Sequence, residues 1–331
     1  MKKIIILIIV LVCLLLLAYL GLNIYYKAPV ATFYLSSHKE FAVPGLSKGF
    51  IPNGIAYKTD TKDYLLCGYS SKDEVSPLYV VNVGEEETKT KKITLLNEDN
   101  TPFTAYAGGI AVYKDYVYIA GGVDGCIYVF SYPALCIAQN DDNVACLGSI
   151  PVEEGMNLSY ATISNEKLIV GETYTEETPT AEEHRLKTTS GAQNNALAYA
   201  FAFSEKDNAL FGVSPKPCEV YSLPNNVQGL AFYDGRVYVS TSSDLEFSHV
   251  YSYSVKATAR RNTTYKYGKK KLPLHELDTG TLVDDLKFPP AAEGIEFING
   301  KMYTIFSSNT SFVGKFTSGK WCYSTEVTKM W

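Results

Sequence analysis

Six carboxylate and amide side chains stand close to the starts or ends of short apolar segments of this chain. They are Asn53, Asn157, Glu172, Asn226, Gln228 and Glu293. Their oxygens can accept hydrogen bonds from a polar ligand or coordinate a hard cation such as Ca²⁺. If the fold brings them together, they form a candidate ligand site. The alternative is that they cap strand ends and bind water.

A strand pair that recurs five times positions these residues. In each copy a small residue begins an alternating apolar segment, and a polar turn leads to a second apolar strand. The small residues are Gly54, Gly109, Ser159, Gly229 and Gly294. Glycine at such places lets neighbouring inner strands approach closely around an axis. We therefore expect the six polar side chains on one face of a ring, the axial face, where the inner strands begin.

Further strands complete each unit. Third strands are predicted at Leu78–Val83, Cys126–Tyr132, Ala196–Phe203, His249–Val255 and Ser311–Phe316. Fourth strands are predicted at Lys92–Leu96, Cys146–Val152 and Glu219–Leu223. Four short strands per unit of about 40–60 residues are typical of a β-propeller blade. We predict an all-β propeller of five blades, although the length is also compatible with six, and we expect Ala31–Leu35 to close the ring.

An apolar segment precedes the repeats. Ile4–Leu22 carries no charge, follows Lys2 and Lys3, and is long enough to cross a bilayer as a helix. A cleaved signal peptide is the alternative, but bulky residues at the expected cleavage region favour a retained signal anchor. The two lysines favour a cytoplasmic N-terminus. We predict a cytoplasmic tip and transmembrane anchor at 1–28 and an extracytoplasmic propeller at 29–331, in a single-pass membrane protein.

Composition and charge narrow the class of protein. The 26 Tyr and 15 Phe beside only 4 Met favour β structure, because aromatic side chains suit pleated, half-buried surfaces. The net charge of −5 argues against a general nucleic-acid binder, which needs a basic face. We expect a monomer that binds no nucleic acid.

Six cysteines follow the anchor, in a compartment that would permit disulfides. Cys136 and Cys146 could close a local loop, and buried free thiols are the alternative. The cysteine spacing and the presence of only four histidines do not match a zinc site.

The GIAY, GIAV and GLAF segments that begin at Gly54, Gly109 and Gly229 each precede a second apolar strand. This pattern resembles the propellers of the gluconolactonase, paraoxonase and strictosidine synthase-like superfamily and of related NHL-type proteins, over about residues 50–320. The resemblance implies a propeller, and active members hold a calcium ion at the axis through Glu, Asn and Asp. By position, Glu293 and Asn53 would be calcium ligands. The chain has no axial Asp and no histidine at an inner-strand start, so no catalytic residue is assigned.

Two charged insertions lengthen the later repeats. Glu172–Asn195 is rich in Thr and Glu, and we expect it to overhang the axial face as a lid or a solvated acidic loop. Lys256–Lys271 contains seven basic residues and no acid. We expect it to project from the opposite face, where it could contact an anionic surface polymer or lipid. The alternative is a solvated hairpin.

Together these features predict a membrane-anchored propeller that binds a ligand, or a protein or polymer partner, at its axial face. The alternative function is that of a calcium-dependent lactonase or esterase-type hydrolase with its metal at Glu293 and Asn53.

Overall fold

The chain begins with a long helix that stands outside the propeller. The computed structural model describes residues 2–70, 75–243, 246–310 and 313–330. Helix α1 spans Lys2–Lys27, and a 3-10 turn at Ala28–Val30 joins it to helix α2 at Ala31–Leu35. Within the described residues, this helical segment is the one long and apolar enough to cross a bilayer. A signal sequence near an N-terminus has the same properties.

Blades 1 and 2 are each built on four antiparallel strands. The first strand of the chain, β1 (Ser37–Ala42), and a 3-10 turn at Leu46–Lys48 precede blade 1. Blade 1 contains β2 (Phe50–Lys58), β3 (Asp63–Ser70), β4 (Leu78–Val83) and β5 (Thr88–Leu96). Blade 2 contains β6 (Gly109–Tyr113), β7 (Tyr116–Ala120), β8 (Cys126–Ser131) and the outer strand β10 (Gly148–Pro151). Helix α3 (Tyr132–Ile137) and strand β9 (Asn143–Ala145) lie in the connection between β8 and β10. Strand β9 pairs in parallel with β5 and so widens blade 1.

Blade 3 carries the first long insertion between its second and third strands. Its inner strands are β11 (Leu158–Ser164) and β12 (Lys167–Glu172). The insertion holds a 3-10 turn at Glu182–His184 and the short pair β13 (Leu186–Lys187) and β14 (Gln193–Asn194). The blade then continues with β15 (Ala196–Ala202) and β16 (Glu219–Leu223).

Blade 4 carries the second insertion, which joins its third strand to its outer strand. Strands β17 (Val227–Tyr233), β18 (Arg236–Thr241) and β19 (Ser248–Ser254) precede helix α4 (Val255–Arg260). The hairpin of β20 (Thr263–Tyr267) and β21 (Lys270–Glu276) follows, then the outer strand β22 (Leu282–Phe288). Strand β21 pairs in parallel with β16, so the hairpin extends blade 3 rather than its own blade.

Blade 5 joins the two ends of the chain. It contains β23 (Ala292–Ile298), β24 (Lys301–Phe306) and β25 (Trp321–Thr325), and a 3-10 turn follows at Val327–Lys329. A 3-10 turn at Ser307–Thr310 and helix α5 (Gly314–Thr317) connect β24 to β25. Strand β1 pairs antiparallel with β25 as the outer strand. The predicted five-bladed, mostly β propeller with an N-terminal apolar helix is confirmed.

The prediction for the closing strand is wrong. Residues Ala31–Leu35 form α2, and the ring closes through β1, which begins two residues later. The ring of Phe33 lies 4.7 Å from that of Phe288 and 5.3 Å from that of Tyr323, and its side chain is fully buried. Because α2 continues the preceding helical turns and buries Phe33, packing overrides the strand-like alternation of this segment.

The other strand predictions agree with the structure except in blade 5. The first four predicted third strands match β4, β8, β15 and β19 to within a residue or two at their ends. The three predicted fourth strands overlap β5, β10 and β16. The predicted third strand Ser311–Phe316 is wrong, because α5 occupies Gly314–Thr317 and the strand is β25. Residues 311–312 lie outside the described residues.

Direct backbone contact between inner strands closes the ring around its axis. A Cβ added at Gly54 would lie 2.8 Å from the Cα of Gly109, and one at Gly294 would lie 3.0 Å from the Cα of Gly54. A Cβ at Gly229 would lie 2.9 Å from the carbonyl oxygen of Glu293. Glycine is therefore required by close approach at these places, as the repeat predicted.

All seven cysteines lie in the described part of the chain and carry free thiols. The thiol of Cys146 donates to the carbonyls of Gly148 and Val129, at 3.0 and 3.3 Å, while Cys136 is exposed. The structure thus shows the free-thiol alternative rather than a Cys136–Cys146 disulfide.

Candidate ligand site at the axial face

Four of the five inner strands carry a β-bulge at the same place. The pairing of β2 with β3 skips Asn53, that of β11 with β12 skips Ser159, and that of β17 with β18 skips Gln228. In β23 the irregularity falls between Ala292 and Ile295, at Glu293 and Gly294. A bulge bends the strand and re-aims the extra side chain. The repeated bulge accounts for the polar residues Asn53, Gln228 and Glu293, which precede the glycine of their repeats.

The third copy differs by one residue from the alignment that the sequence suggested. There the bulge lies at Ser159 rather than Leu158, and Tyr160 takes the place of the ring glycine. Across the pair, a Cβ added at Gly171 would lie 2.1 Å from the Tyr160 hydroxyl. In blade 3 the first strand therefore carries the bulky Tyr160, and the glycine, Gly171, lies on the second strand. Leu158 is accordingly a core residue, fully buried, and not an axial one.

Glu293 is a nearly buried carboxyl whose hydrogen-bond partner is a neutral hydroxyl. Its side chain is about nine-tenths buried, and its Oε1 accepts a hydrogen bond of 2.6 Å from the Ser307 hydroxyl. Burial raises the pKa of Glu293 to about 7, and the Ser307 hydrogen bond opposes part of that rise. No basic side chain of the described residues pairs with it. Near neutral pH this carboxyl is therefore partly protonated, and no cationic side chain of the described residues pairs with it.

Two tyrosines lie close enough to Glu293 to be influenced by its charge. The rings of Tyr69 and Tyr106 lie 5.5 Å apart, and Tyr106 is 39% exposed. Burial raises the pKa of both phenols, and the charge of Glu293 adds to the rise in each case. One carboxyl and two aromatic rings thus lie near one another where blades 5, 1 and 2 meet.

Asn53 lies near Glu293, and its amide nitrogen is already hydrogen-bonded. Its Nδ2 donates to the Ala107 carbonyl at 3.2 Å, and the Cys67 thiol donates to the same oxygen at 3.5 Å. The side chain is buried. Asn53 therefore ties blade 1 to the connection that carries Tyr106, and so helps to place that ring.

Glu172 is a buried carboxyl that accepts hydrogen bonds from within blade 3 and its insertion. It is almost fully buried, and its Oε1 accepts hydrogen bonds from His184 Nδ1 at 2.8 Å and from the Leu197 amide at 3.0 Å. On the other side of the imidazole, Nε2 lies 3.2 Å from Glu153 Oε1, and Tyr199 donates to Glu153 Oε2 at 2.7 Å. This network fastens the acidic insertion to blade 3, with the buried Glu172 as a hydrogen-bond acceptor.

The charges in this network are mutually stabilised. Hydrogen bonds and charge from Glu153 and Glu172 outweigh burial and raise the pKa of His184 to about 10. The hydrogen bond to His184 in turn lowers the pKa of Glu153. At neutral pH the imidazolium is therefore held between two carboxylates.

The three remaining predicted residues stand at or just before the first strands of blades 3 and 4. Asn226 adopts a left-handed backbone (φ 60°) and lines a separate cavity of about 490 Å³ with Gln193 and His249. Asn157 is half-buried, and its carbonyl accepts from Ser159 Oγ. Gln228 is a half-buried bulge residue of blade 4. The backbone approaches at Gly294 and Gly229 bring Asn53 and blade 4 next to Glu293, and the six-residue site stays a prediction.

Sequence reasoning missed Ser307, Tyr69 and Tyr106. Ser307 follows β24 and Tyr69 lies near the end of β3, at equivalent places in their blades. Extending each repeat by two residues past its second strand would have found both. Tyr106 lies in an irregular connection between blades, where the repeat carries no signal.

The donor set at Glu293 is a poor fit for calcium. Ca²⁺ takes six to eight oxygen ligands and is held more tightly as carboxylates are added. Of the two residues considered as calcium ligands, Glu293 is the one carboxylate, and its Oε1 accepts a hydrogen bond from Ser307. Among the described residues, no group of three or more His, Cys, Asp or Glu side chains could hold a metal ion. The calcium prediction stays a prediction.

The two insertions meet instead of occupying opposite faces. Arg261, from the basic insertion, pairs with Glu276 at 2.8 Å and with Asp278 at 2.7 Å. Ser190 Oγ, from the acidic insertion, donates to Asp278 Oδ1 at 3.1 Å. One of the seven basic residues is therefore neutralised internally. The other six are exposed, namely Lys256, Arg260, Lys266, Lys269, Lys270 and Lys271.

The fold and the axial arrangement define a five-bladed β-propeller. No protein-family model and no curated protein matches the sequence. Solved propellers share the fold. An aldose sugar dehydrogenase from Streptomyces coelicolor in its PQQ-bound form has 16% identity and a TM-score of 0.44, with 82% of this chain and 78% of that chain covered.

Two further propellers are similar to the same degree. A putative glucose dehydrogenase from Thermus thermophilus has 10% identity and a TM-score of 0.44, covering 87% of this chain and 98% of its own. A luciferin-regenerating enzyme has 11% identity and a TM-score of 0.45, with 87% and 94% covered. The five blades of this chain themselves confirm, at the level of fold, the resemblance to propeller proteins.

Proposed function

We propose that the protein is a membrane-tethered, extracytoplasmic β-propeller whose axial face binds a small ligand through a cationic group. The observation that carries this proposal is the environment of Glu293. A carboxyl that is nine-tenths buried and lacks a basic partner gains most from a ligand that supplies the missing positive charge.

The flanking tyrosines support an organic cation in particular. A quaternary or protonated amine is stabilised over aromatic faces, with about 0.5–2 kcal/mol gained per contact. The rings of Tyr69 and Tyr106 stand 5.5 Å apart beside the carboxyl. A hydrated metal ion gains less from such walls, because it requires several oxygens in its first shell.

The tether and its orientation rest on the N-terminal helix. Its length and apolar composition suit a membrane span, and Lys2 and Lys3 favour a cytoplasmic N-terminus. Alkaline extraction of membranes should leave the full chain in the pellet, and protease added to intact spheroplasts should digest the propeller. Release into the supernatant or full protection from protease would contradict the tether or its orientation.

The ligand class is tested by isothermal titration of the full-length protein in detergent with choline and with its neutral isostere 3,3-dimethylbutanol. We expect choline to bind and the isostere to bind at least about tenfold more weakly, which corresponds to about 1.4 kcal/mol. Glu293→Gln should abolish the difference, and the exposed Glu154→Gln should leave it unchanged. Affinity for choline should rise as pH rises through about 7, because the cation selects the ionised carboxylate.

Equal binding of the two compounds, or choline binding that survives Glu293→Gln, would overturn the proposal. A parallel titration with Ca²⁺ addresses the calcium-dependent hydrolase. Calcium binding that disappears in Glu293→Gln would favour that alternative.

A further inference from the structure

A preformed cavity lies between the N-terminal helix and the propeller. Its volume is about 830 Å³, and its wall includes Asn23 and Ile24 of α1, Tyr34 and Leu35 of α2, and Lys39 of β1. None of the residues considered for the axial site lines it. We propose that this cavity, the juxtamembrane cleft, binds one anionic phospholipid of the membrane that α1 crosses. The inference rests on the proposed tether.

The cleft wall is held in place by the propeller core. Phe33 is fully buried against Phe288 and Tyr323, so α2 cannot rotate freely. The Tyr34 hydroxyl donates to the Thr317 carbonyl at 2.6 Å, and this bond links α2 to the connection before β25. The cleft is therefore a fixed feature of the surface, and a ligand would not have to order it.

Aromatic contacts hold the last turns of α1 near the cleft. Tyr19 and Tyr26 pack against Phe316, with ring centroids 5.5 and 6.3 Å apart. Tyr25 lies 6.3 Å from Phe247. Tyrosines at the end of an apolar span are typical of the interface between hydrocarbon and water.

The depth of the cleft matches that of lipid head groups. Asn23 directly follows the apolar stretch, and Lys27 lies five residues beyond it. At about 1.5 Å per residue, this turn of helix extends about 8 Å from the hydrocarbon boundary, which is about the thickness of the head-group layer.

The chemistry of the wall matches an anionic amphiphile. Lys27, His38 and Lys39 line the cleft, and no Asp or Glu of the described residues does so. Ile24 and Leu35 supply apolar surface, and Leu35 is 87% exposed although it sits beside a cavity. Exposed apolar surface next to lysines suits a phospholipid, whose acyl chain and phosphate need both.

Trp321 provides a reporter for the test. The ammonium groups of Lys39 and Lys320 lie 5.5 and 5.6 Å from its ring, but only Lys39 lines the cleft. The chain has two tryptophans, so Trp331→Phe leaves Trp321 as the single emitter. Lys320→Gln is then a matched control for Lys39→Gln, because both remove a cation from the same ring.

The experiment places full-length Trp331→Phe protein in nanodiscs with brominated phosphatidylglycerol or brominated phosphatidylcholine. We expect stronger Trp321 quenching by phosphatidylglycerol, and one phosphatidylglycerol retained in native mass spectrometry after partial delipidation. Lys27→Gln and Lys39→Gln should each weaken retention about fivefold, since a lysine near anionic lipid contributes about 1 kcal/mol. Lys320→Gln should retain the lipid.

Equal quenching and retention of the two lipids would overturn the proposed lipid site and indicate ordinary boundary lipid. Retention that is unaffected by Lys27→Gln and Lys39→Gln would overturn it as well. Failure of the tether gives a different result, because the protein then does not insert into nanodiscs at all. Loss of choline binding at Glu293 would leave the lipid measurements unchanged.

Discussion

Glu293 and Glu172 are both nearly buried carboxyls placed by inner blade strands, yet their surroundings differ. Glu293 accepts one hydrogen bond, from a neutral hydroxyl, and burial raises its pKa to about 7. Glu172 accepts from the imidazole of His184 and from a backbone amide, inside a network of two carboxylates and one histidine. The first can still gain a charged partner, while the second already has one. Partners, rather than residue type or place in the repeat, therefore distinguish a ligand group from a structural one.

The largest expected effect comes from removing the partner of Glu172. His184→Gln leaves Glu172 buried without its cation, which should lower the free energy of unfolding by about 3 kcal/mol. Denaturant titration of the full chain at neutral pH measures the loss. The neighbouring exposed Glu183→Gln serves as the control and should change little.

The pH dependence of that loss follows from the raised pKa of His184. The folded value is about 10 against a usual 6.5, so its stabilisation is complete below about pH 6.5 and disappears as pH rises towards 10. The difference between wild type and His184→Gln should therefore shrink on the alkaline side. A difference independent of pH would mean that His184 is neutral in the fold.

Glu293→Gln should raise the free energy of unfolding, whereas His184→Gln lowers it. The folded pKa of about 7 exceeds the usual 4.5, so the folded state loses stability relative to the unfolded state as pH rises from about 4.5 to 7. The variant escapes this loss and should be more stable than wild type above pH 7, by on the order of 2 kcal/mol, and equal to it in acid. Thermal unfolding at several pH values tests this. A destabilised variant at alkaline pH would make Glu293 a second structural carboxyl.

The smallest effect is expected at Ser307. Its hydroxyl donates to Glu293 and lowers the pKa of that carboxyl, so Ser307→Ala should raise the Glu293 pKa further. The loss of one hydrogen bond should cost about 1 kcal/mol in stability. The pH midpoint of choline binding should move upward in the variant. An unmoved midpoint would show that Ser307 does not tune the carboxyl.

The sequence predicted the ring because its determinants are local and repeated. A glycine inside a strand indicates that another backbone approaches closely. The inner strands are marked in this way by Gly54, Gly109, Gly229 and Gly294. In blade 3 the glycine, Gly171, lies on the second strand opposite Tyr160. The bulge at Ser159 was therefore concealed, because the pairing of two strands cannot be inferred from the first strand alone. The closing strand was missed because the burial of Phe33 depends on residues more than 250 positions away.

The site was harder to predict than the fold for a related reason. Glu293 and Asn53 were selected because each precedes the glycine of its repeat, and ring closure brings their backbones together. His184 was not assigned a role, because its partners Glu172 and Glu153 lie on a different strand and a different connection. A histidine inside an acidic insertion was the available signal, but a solvated loop would have the same composition.

The central claim is that Glu293 is a desolvated carboxyl without a cation. Its most direct test is a carboxyl-detected NMR titration of ¹³C-Glu-labelled full-length protein beside Glu293→Gln. Desolvation also raises the pKa of Glu296, to about 8, so wild type should show two late-titrating carboxyls. We predict that the one with a midpoint near 7 disappears in Glu293→Gln and that the other remains. A Glu293 resonance that titrates near 4.5 would contradict the account.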